Sequence, residues 1–229
     1  MSTYLQLVNQ LAVKCGVTIT GGQLTSLTGL VGEPARLAAW INEAWQNIQL
    51  AKPNWNFMRS TFSFTTTTGQ PTYTPVQAGI SNYGWWKMDS MRCYVTSVGV
   101  GNEMFLDEVD YDAWRDTYLF STRRLTYSRP QSVAIGPDQT LNLGPLPDAS
   151  GYTILGEYYT GPVSLVNATD VPSMPTQYHL AIVYRAMMMY GAYESAPEAY
   201  NEGRDLYNAM FRRMARDLSP DMQLGEALA

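Results

Sequence analysis

Charge is what this chain has least of. Asp, Glu, Lys and Arg make up 15 % of its 229 residues, against about a quarter in an ordinary globular chain. The 15 basic residues are outnumbered by 20 acidic ones, giving a net charge of −5. Binding to phosphates needs clustered positive charge, so sequence-specific nucleic-acid binding is not expected. The densest basic group is Arg212, Arg213 and Arg216, with Arg204 two turns before. It falls at the end of a predicted helix, where cations suit the helix dipole. Histidine occurs once, as His179, and cysteine twice, as Cys15 and Cys93. That set cannot supply the ligands of a structural zinc. Without CxxC spacing the two cysteines read as free thiols of a reducing compartment. No run approaches the roughly 20 apolar residues of a membrane span. The start, Met1-Ser2-Thr3-Tyr4-Leu5, lacks the basic region and apolar run of a signal peptide. Synthesis and first use in a cytoplasm are therefore expected.

Catalytic signatures are equally scarce. His179 opens an apolar helix with no triad partner nearby, which points to a structural or capping role. Gly99-Val100-Gly101 lacks a third glycine and a surrounding βαβ unit, and reads as a hairpin turn. The acidic run Asp107, Glu108, Asp110, Asp112 and Asp116 lacks the glycine and closing glutamate of an EF-hand loop. It reads as a helix start with a solvated face. Any two of the 20 acids could meet as a glycosidase pair, but nothing singles two of them out. No catalytic, cofactor-binding or metal-binding residues are assigned, and the chain is not expected to be an enzyme.

What the chain has instead is aromatic surface, with 16 tyrosines and 6 tryptophans. A surface poor in Lys and Glu and rich in Tyr is what protein–protein contacts use; a Tyr-rich sheet in a monomer would give the same composition. Trp85-Trp86 is the sharpest case. Neighbours on a strand face opposite sides, so one can be core and the other an exposed hot spot, unless loops cover both. Trp85 and Trp86 are taken as candidate subunit contacts.

The hydrophobic period changes twice along the chain. Leu5, Val8, Leu11 and Ala12 predict a short helix over Thr3–Cys15 that stops at Gly16. Residues 18–32 read as a loop. Pro34 opens a second helix, with Leu37, Ile41, Ala44, Trp45 and Ile48 as its stripe, ending near Ala51 before Pro53. From Ser60 the pattern alternates as in strands. Phe62 and Phe64 lie on one strand, followed by a return strand at Thr72–Thr74. Further strands are predicted at Tyr83–Lys87, Met91–Val98 and Glu103–Leu106. Asp107–Tyr118 suggests a short helix. Two more hairpins are expected, the first around Gly136-Pro137-Asp138-Gln139 and the second leading to a strand at Tyr152–Thr160. Near Val171 the helical period returns. Gln177–Tyr193 is apolar on nearly all sides, as in a buried central helix. Pro197 opens the last helix, with Ser195 as a candidate cap.

The expected fold class is α+β: an antiparallel helical bundle of N- and C-terminal helices, with an inserted small β-sandwich or open-barrel region. The expected divisions are 1–58 for the N-terminal helices, 59–170 for the β-rich insert, 171–218 for the C-terminal helical hairpin and 219–229 for a tail.

Three stretches resemble a known family. Trp40-Ile41-Asn42-Glu43-Ala44-Trp45-Gln46-Asn47-Ile48-Gln49, closed by Lys52-Pro53-Asn54-Trp55-Asn56-Phe57-Met58, is similar to the N-terminal signature of head-to-tail adaptors of tailed bacteriophages. Tyr178–Ala186 with Tyr190-Gly191-Ala192-Tyr193-Glu194 resembles their C-terminal paired helix. Gly136–Asp138 through Leu143–Pro147 resembles their central hairpin. The resemblance implies a virion protein, assembled in the host cytoplasm, that forms a dodecameric homo-oligomeric ring beneath the phage portal protein. That ring would join the capsid to a downstream tail protein, a nozzle or tail-completion protein, and let DNA pass. It also implies a C-terminal segment reaching the portal, here with Leu224 and Leu228 as apolar anchors. Two alternatives stay open. One is a tail-associated peptidoglycan hydrolase, as linked to some relatives in short-tailed phages, although no residues of such a site match. The other is a glycan- or receptor-binding β module.

Overall fold

A computed structural model describes residues 1–19 and 21–219. Among these the chain is mixed α+β, with five α-helices and two four-stranded sheets that do not close into a barrel. By internal packing it divides into two units. One is Met1–Met58 together with the chain from Pro162 onward, and the other is Arg59–Gly161.

The first unit is the helical bundle. Helix α1 (Tyr4–Lys14) starts at Thr3, whose hydroxyl accepts from Gln6 N–H while the Gln6 side chain accepts from Thr3 N–H. This reciprocal cap satisfies two donors that every helix start leaves open. Helix α2 (Glu33–Ala51) has Pro34 in its first turn and buries Leu37, Ile41, Ala44, Trp45 and Ile48, the stripe expected from the spacing. Its end, Lys52–Met58, folds back into the bundle. Trp55 is fully buried, donates its indole N–H to Ile48 O at 2.8 Å, and meets Phe211 edge-on at 5.8 Å.

Helix α4 (Leu180–Tyr193) is the centre of the bundle. It packs against α1, α2 and α5 (Pro197–Asp217), which explains why it is apolar nearly all round. Tyr178, just before α4, donates to Asp217 at the end of α5 at 2.6 Å, as an antiparallel pair requires. Two glycines set the spacing of that pair. A Cβ on Gly203 would come within 2.9 Å of both Met187 Cβ and Tyr184 O, and one on Gly191 within 2.6 Å of Tyr200 N. The expected cap of α5 is corrected. Ala196, not Ser195, holds the N-cap position, and no side chain caps it. Ser195 has φ +54° and terminates α4 instead, with Ala196 N–H bonded back to Gly191 O at 2.9 Å. The chain rejoins the helical unit at Pro162, where buried Gln49 bonds both the N–H and the carbonyl of Val163, at 2.9 and 3.0 Å.

The second unit is two sheets packed face to face. Strand β1 (Arg59–Thr65), β8 (Tyr152–Thr160), β3 (Tyr83–Val95) and β4 (Met104–Phe105) form one antiparallel sheet in the order β1-β8-β3-β4. The other has the order β2-β7-β6-β5, built from β2 (Thr72–Tyr73), β5 (Asp107–Glu108), β6 (Ser132–Ile135) and β7 (Leu141–Gly144), with β5 parallel to β6. Phe62, Trp86, Met91, Cys93 and Ile154 from the first sheet meet Tyr73, Val133, Leu141 and Leu143 from the second.

Four details differ from the sequence reading. The segments Tyr83–Lys87 and Met91–Val98 are one strand, broken by a bulge between Lys87 and Arg92. Ser90 fills the gap by donating to Lys87 O at 2.6 Å and accepting from Glu157 N–H at 2.8 Å. The return strand at Thr72 pairs with β7, not β1. The turn after Leu146 crosses between sheets and closes no hairpin, because β8 lies between β1 and β3. Asp107 and Glu108 form a strand, so the helix α3 (Tyr111–Trp114) starts later, capped by Asp110.

Candidate interaction surfaces

The titratable groups most able to do chemistry are engaged in holding the fold. His179 is buried; its Nδ1 accepts from Ser2 N–H at 3.3 Å, which leaves Nε2 as the donor to Met174 O at 3.0 Å. Burial holds this imidazole below its ordinary value, so it is neutral. Burial pushes the Cys93 thiol up and, with smaller contributions from Glu202 and Glu33, raises Cys15 to about 12, so both are thiols and not nucleophilic thiolates. In the acidic run, Asp110 caps α3, while Asp112 and Asp116 hold Arg115 at 2.7 and 3.0 Å. Among the described residues no group of three or more His, Cys, Asp or Glu is gathered for a metal, and no helix is long and apolar enough to cross a membrane.

The tryptophan pair divides as strand geometry requires. Trp86 is a core residue, 5 % exposed, with its indole N–H bonded to Gln139 O at 2.8 Å. Trp85 lies on the other side of β3, half-buried and stacked on Tyr159 at 5.5 Å. The outer face of the same sheet carries a groove of about 660 Å³ lined by Arg59, Lys87, Arg92, Phe105, Leu155 and Glu157. Its cations are neutralised within the unit. Glu157 pairs with Arg59 and with Lys87 at 3.7 Å, Lys87 also meets Asp89 at 2.7 Å, and Arg92 meets Glu103 at 2.6 Å.

Two surfaces escaped the sequence reading. The first is the connection between β5 and β6. Trp114 anchors one base of it, donating to Leu143 O at 3.0 Å, and Tyr118 lies against Gly144 where no Cβ would fit. Ser128 N–H anchors the other base on Leu146 O at 2.9 Å. Between them a π-helical turn (Arg115–Leu119) and a 3₁₀ turn (Thr122–Leu125) carry a tip. At this tip Leu119, Phe120 and Leu125 are 45 %, 67 % and 73 % exposed. The side chains of Arg123 and Arg124 form no ion pair, hydrogen bond or ring contact among the described residues, while Arg123 N–H donates to Ser121 Oγ at 3.0 Å. An apolar and basic stretch without periodicity, Leu119-Phe120-Ser121-Thr122-Arg123-Arg124-Leu125, was its only sequence signal.

The second surface is the corner between α4 and α5. Tyr193 is 59 % exposed and Tyr200 36 %. Trp40 of α2 supports Tyr193 at 5.5 Å, and the Arg36 guanidinium lies 4.9 Å over its ring. Glu194, next to Tyr193, is exposed and pairs with the same Arg36 at 3.8 Å, and Glu198 and Glu202 are exposed further along α5. Leu224 and Leu228, the expected portal anchors, lie outside the described residues.

A model of the family described as SU10 adaptor protein matches residues 2–227. No curated protein matches the sequence.

Proposed function

The chain belongs to the SU10 adaptor protein family, and from that premise we propose that it is a structural virion protein, a head-to-tail adaptor that forms a ring beneath the portal. The family match across nearly the whole chain carries this reading. The physical features agree with it. A ring subunit needs two different, complementary faces, since a heterologous contact that closes gives a cyclic oligomer. The exposed tip at Leu119–Leu125, the exposed tyrosine-bearing corner and the half-buried Trp85 are aromatic, apolar and arginine surfaces of the kind that carry subunit contacts. The net charge of −5 suits a passage through which DNA moves without sticking.

In this reading one end of the ring meets the portal and the other a nozzle or tail-completion protein, and the protein resides at the head–tail junction. The resemblance sets the expected number at twelve copies. The test is mass photometry of the purified protein alone and mixed with the portal of the same phage. A ring-sized species on the portal is the expected result, and monomer in both conditions would refute the proposal.

A further inference from the structure

We propose that the Leu119–Leu125 tip of one copy docks on the α4–α5 corner of a second copy. The second copy as occupant rests on the ring reading above; the choice of surfaces rests on the structure.

The tip has the properties of a ligand. Both of its bases are anchored, by Trp114 and by Ser128, so little conformational entropy remains to be lost on docking. Three apolar side chains at 45–73 % exposure flank in sequence two adjacent exposed arginines without an ion pair, of which Arg123 also lines a groove with Asp107 and Trp114. Lys14, Arg36, Arg59, Lys87, Arg92, Arg115, Arg204 and Arg216 sit in ion pairs among the described residues, whereas Arg123 and Arg124 do not.

The corner has the complementary properties. It presents the exposed Tyr193 ring with Glu194, and on α5 the exposed Tyr200, Glu198 and Glu202. Glu198 makes no ion pair among the described residues, and Glu194 and Glu202 have only the two longest, at 3.8 Å to Arg36 and 3.9 Å to Lys14. Guanidinium groups stack on aromatic rings while pairing with carboxylates, and Tyr and Arg are both enriched in contact hot spots. Phosphate would use the arginines but not Leu119 or Leu125, and the overall negative charge opposes a nucleic-acid partner. Because tip and corner are different patches, the contact is heterologous, the type that closes rings.

The test uses the full chain in sedimentation velocity across a concentration series, alone and with portal. Far-UV and near-UV circular dichroism check that each variant is folded. Arg123→Glu/Arg124→Glu should weaken self-association at least tenfold, and so should Glu194→Arg/Glu198→Arg. An equimolar mixture of the two variants should assemble again, because every tip–corner contact in an alternating assembly is then of opposite charge. If the tip variant assembles like the wild type, this inference fails while the ring reading stands. If the tip variant loses assembly but the mixture does not recover it, the tip docks elsewhere and the inference also fails. If the tip variant assembles normally but loses binding to duplex DNA in fluorescence anisotropy, the tip is a nucleic-acid contact and the inference fails. If wild type is monomeric in both conditions, the ring reading and the inference fall together.

Discussion

His179 couples the fold to pH through one ring. Its Nδ1 must be unprotonated to accept from Ser2 N–H, and burial keeps it so. The unfolded chain titrates near the ordinary 6.5 and the folded chain lower, so below 6.5 the unfolded state binds a proton that the folded state does not. The stabilisation from neutral His179 is therefore complete above pH 6.5 and is lost progressively as pH falls through the folded value. Urea midpoints at pH 7.5 and 5.5 should show this loss in the wild type and a flatter response in His179→Gln. An equal pH response in both would rule out His179 as the cause. Ser195 offers a prediction of opposite sign. It adopts φ +54° in the turn that ends α4, a conformation glycine adopts without steric cost. Ser195→Gly should stabilise by roughly 0.5–1 kcal/mol, read as a higher denaturant midpoint at unchanged slope. The sequence marked Ser195 as a cap because Ser before a proline-opened helix is a common start. Only the backbone shows it to be the preceding helix's end.

At the level of elements, the helices were legible and the sheet partners were not. Leu37, Ile41, Ala44, Trp45 and Ile48 identified α2 and its buried face because helical spacing reports both at once. In a strand, alternation reports the face but not the neighbour. So Phe62, Ile154 and Tyr158 were placed on strands correctly, while the insertion of β8 between β1 and β3 left no trace in the local pattern. The gap in alternation between Lys87 and Arg92 looked like a strand end and is a bulge, because Ser90 restores the bonds the ladder loses. The close approach of α4 and α5 was also invisible, since a helical glycine reads only as a weak helix former. Gly203→Ala would drive a methyl group against Met187 and Tyr184. Overpacking of this kind costs about 1–3 kcal/mol, partly offset by a gain of about 1 kcal/mol in helix propensity. Gly191→Ala should cost more, because its methyl would come closer still, to 2.6 Å from Tyr200 N against 2.9 Å for the nearest atoms at Gly203. A rise in denaturant midpoint for either variant would show that the helices separate freely.

For the whole molecule, the surfaces that matter to an assembly were the least legible part. Burial decides which aromatic is a contact and which is core, and burial depends on partners distant in sequence. Trp86, which the sequence pairs with Trp85 as a candidate contact, is core, whereas Phe120 and Tyr193, which no pattern marks as contacts, are exposed. The proposed portal anchor raises the same question at the end of the chain. Lys52 Nζ donates to Ser219 Oγ at 3.0 Å and Asn56 N–H bonds Leu218 O at 2.8 Å, so the chain up to Ser219 belongs to the bundle. A truncation that probes the tail should therefore remove only residues 220–229. We expect that variant to keep the wild-type denaturant midpoint and to lose portal attachment, and Leu224→Asp/Leu228→Asp to do the same. The size of the loss should depend on assembly state. One short apolar anchor binds weakly, but copies tethered in a ring act at high effective concentration, and avidity exceeds single-site affinity by about 10²–10⁴. Portal binding by surface plasmon resonance should thus fall far more for assembled truncated protein than for truncated monomer. An equal fall in both would place the portal contact in residues 1–219 and not in 220–229.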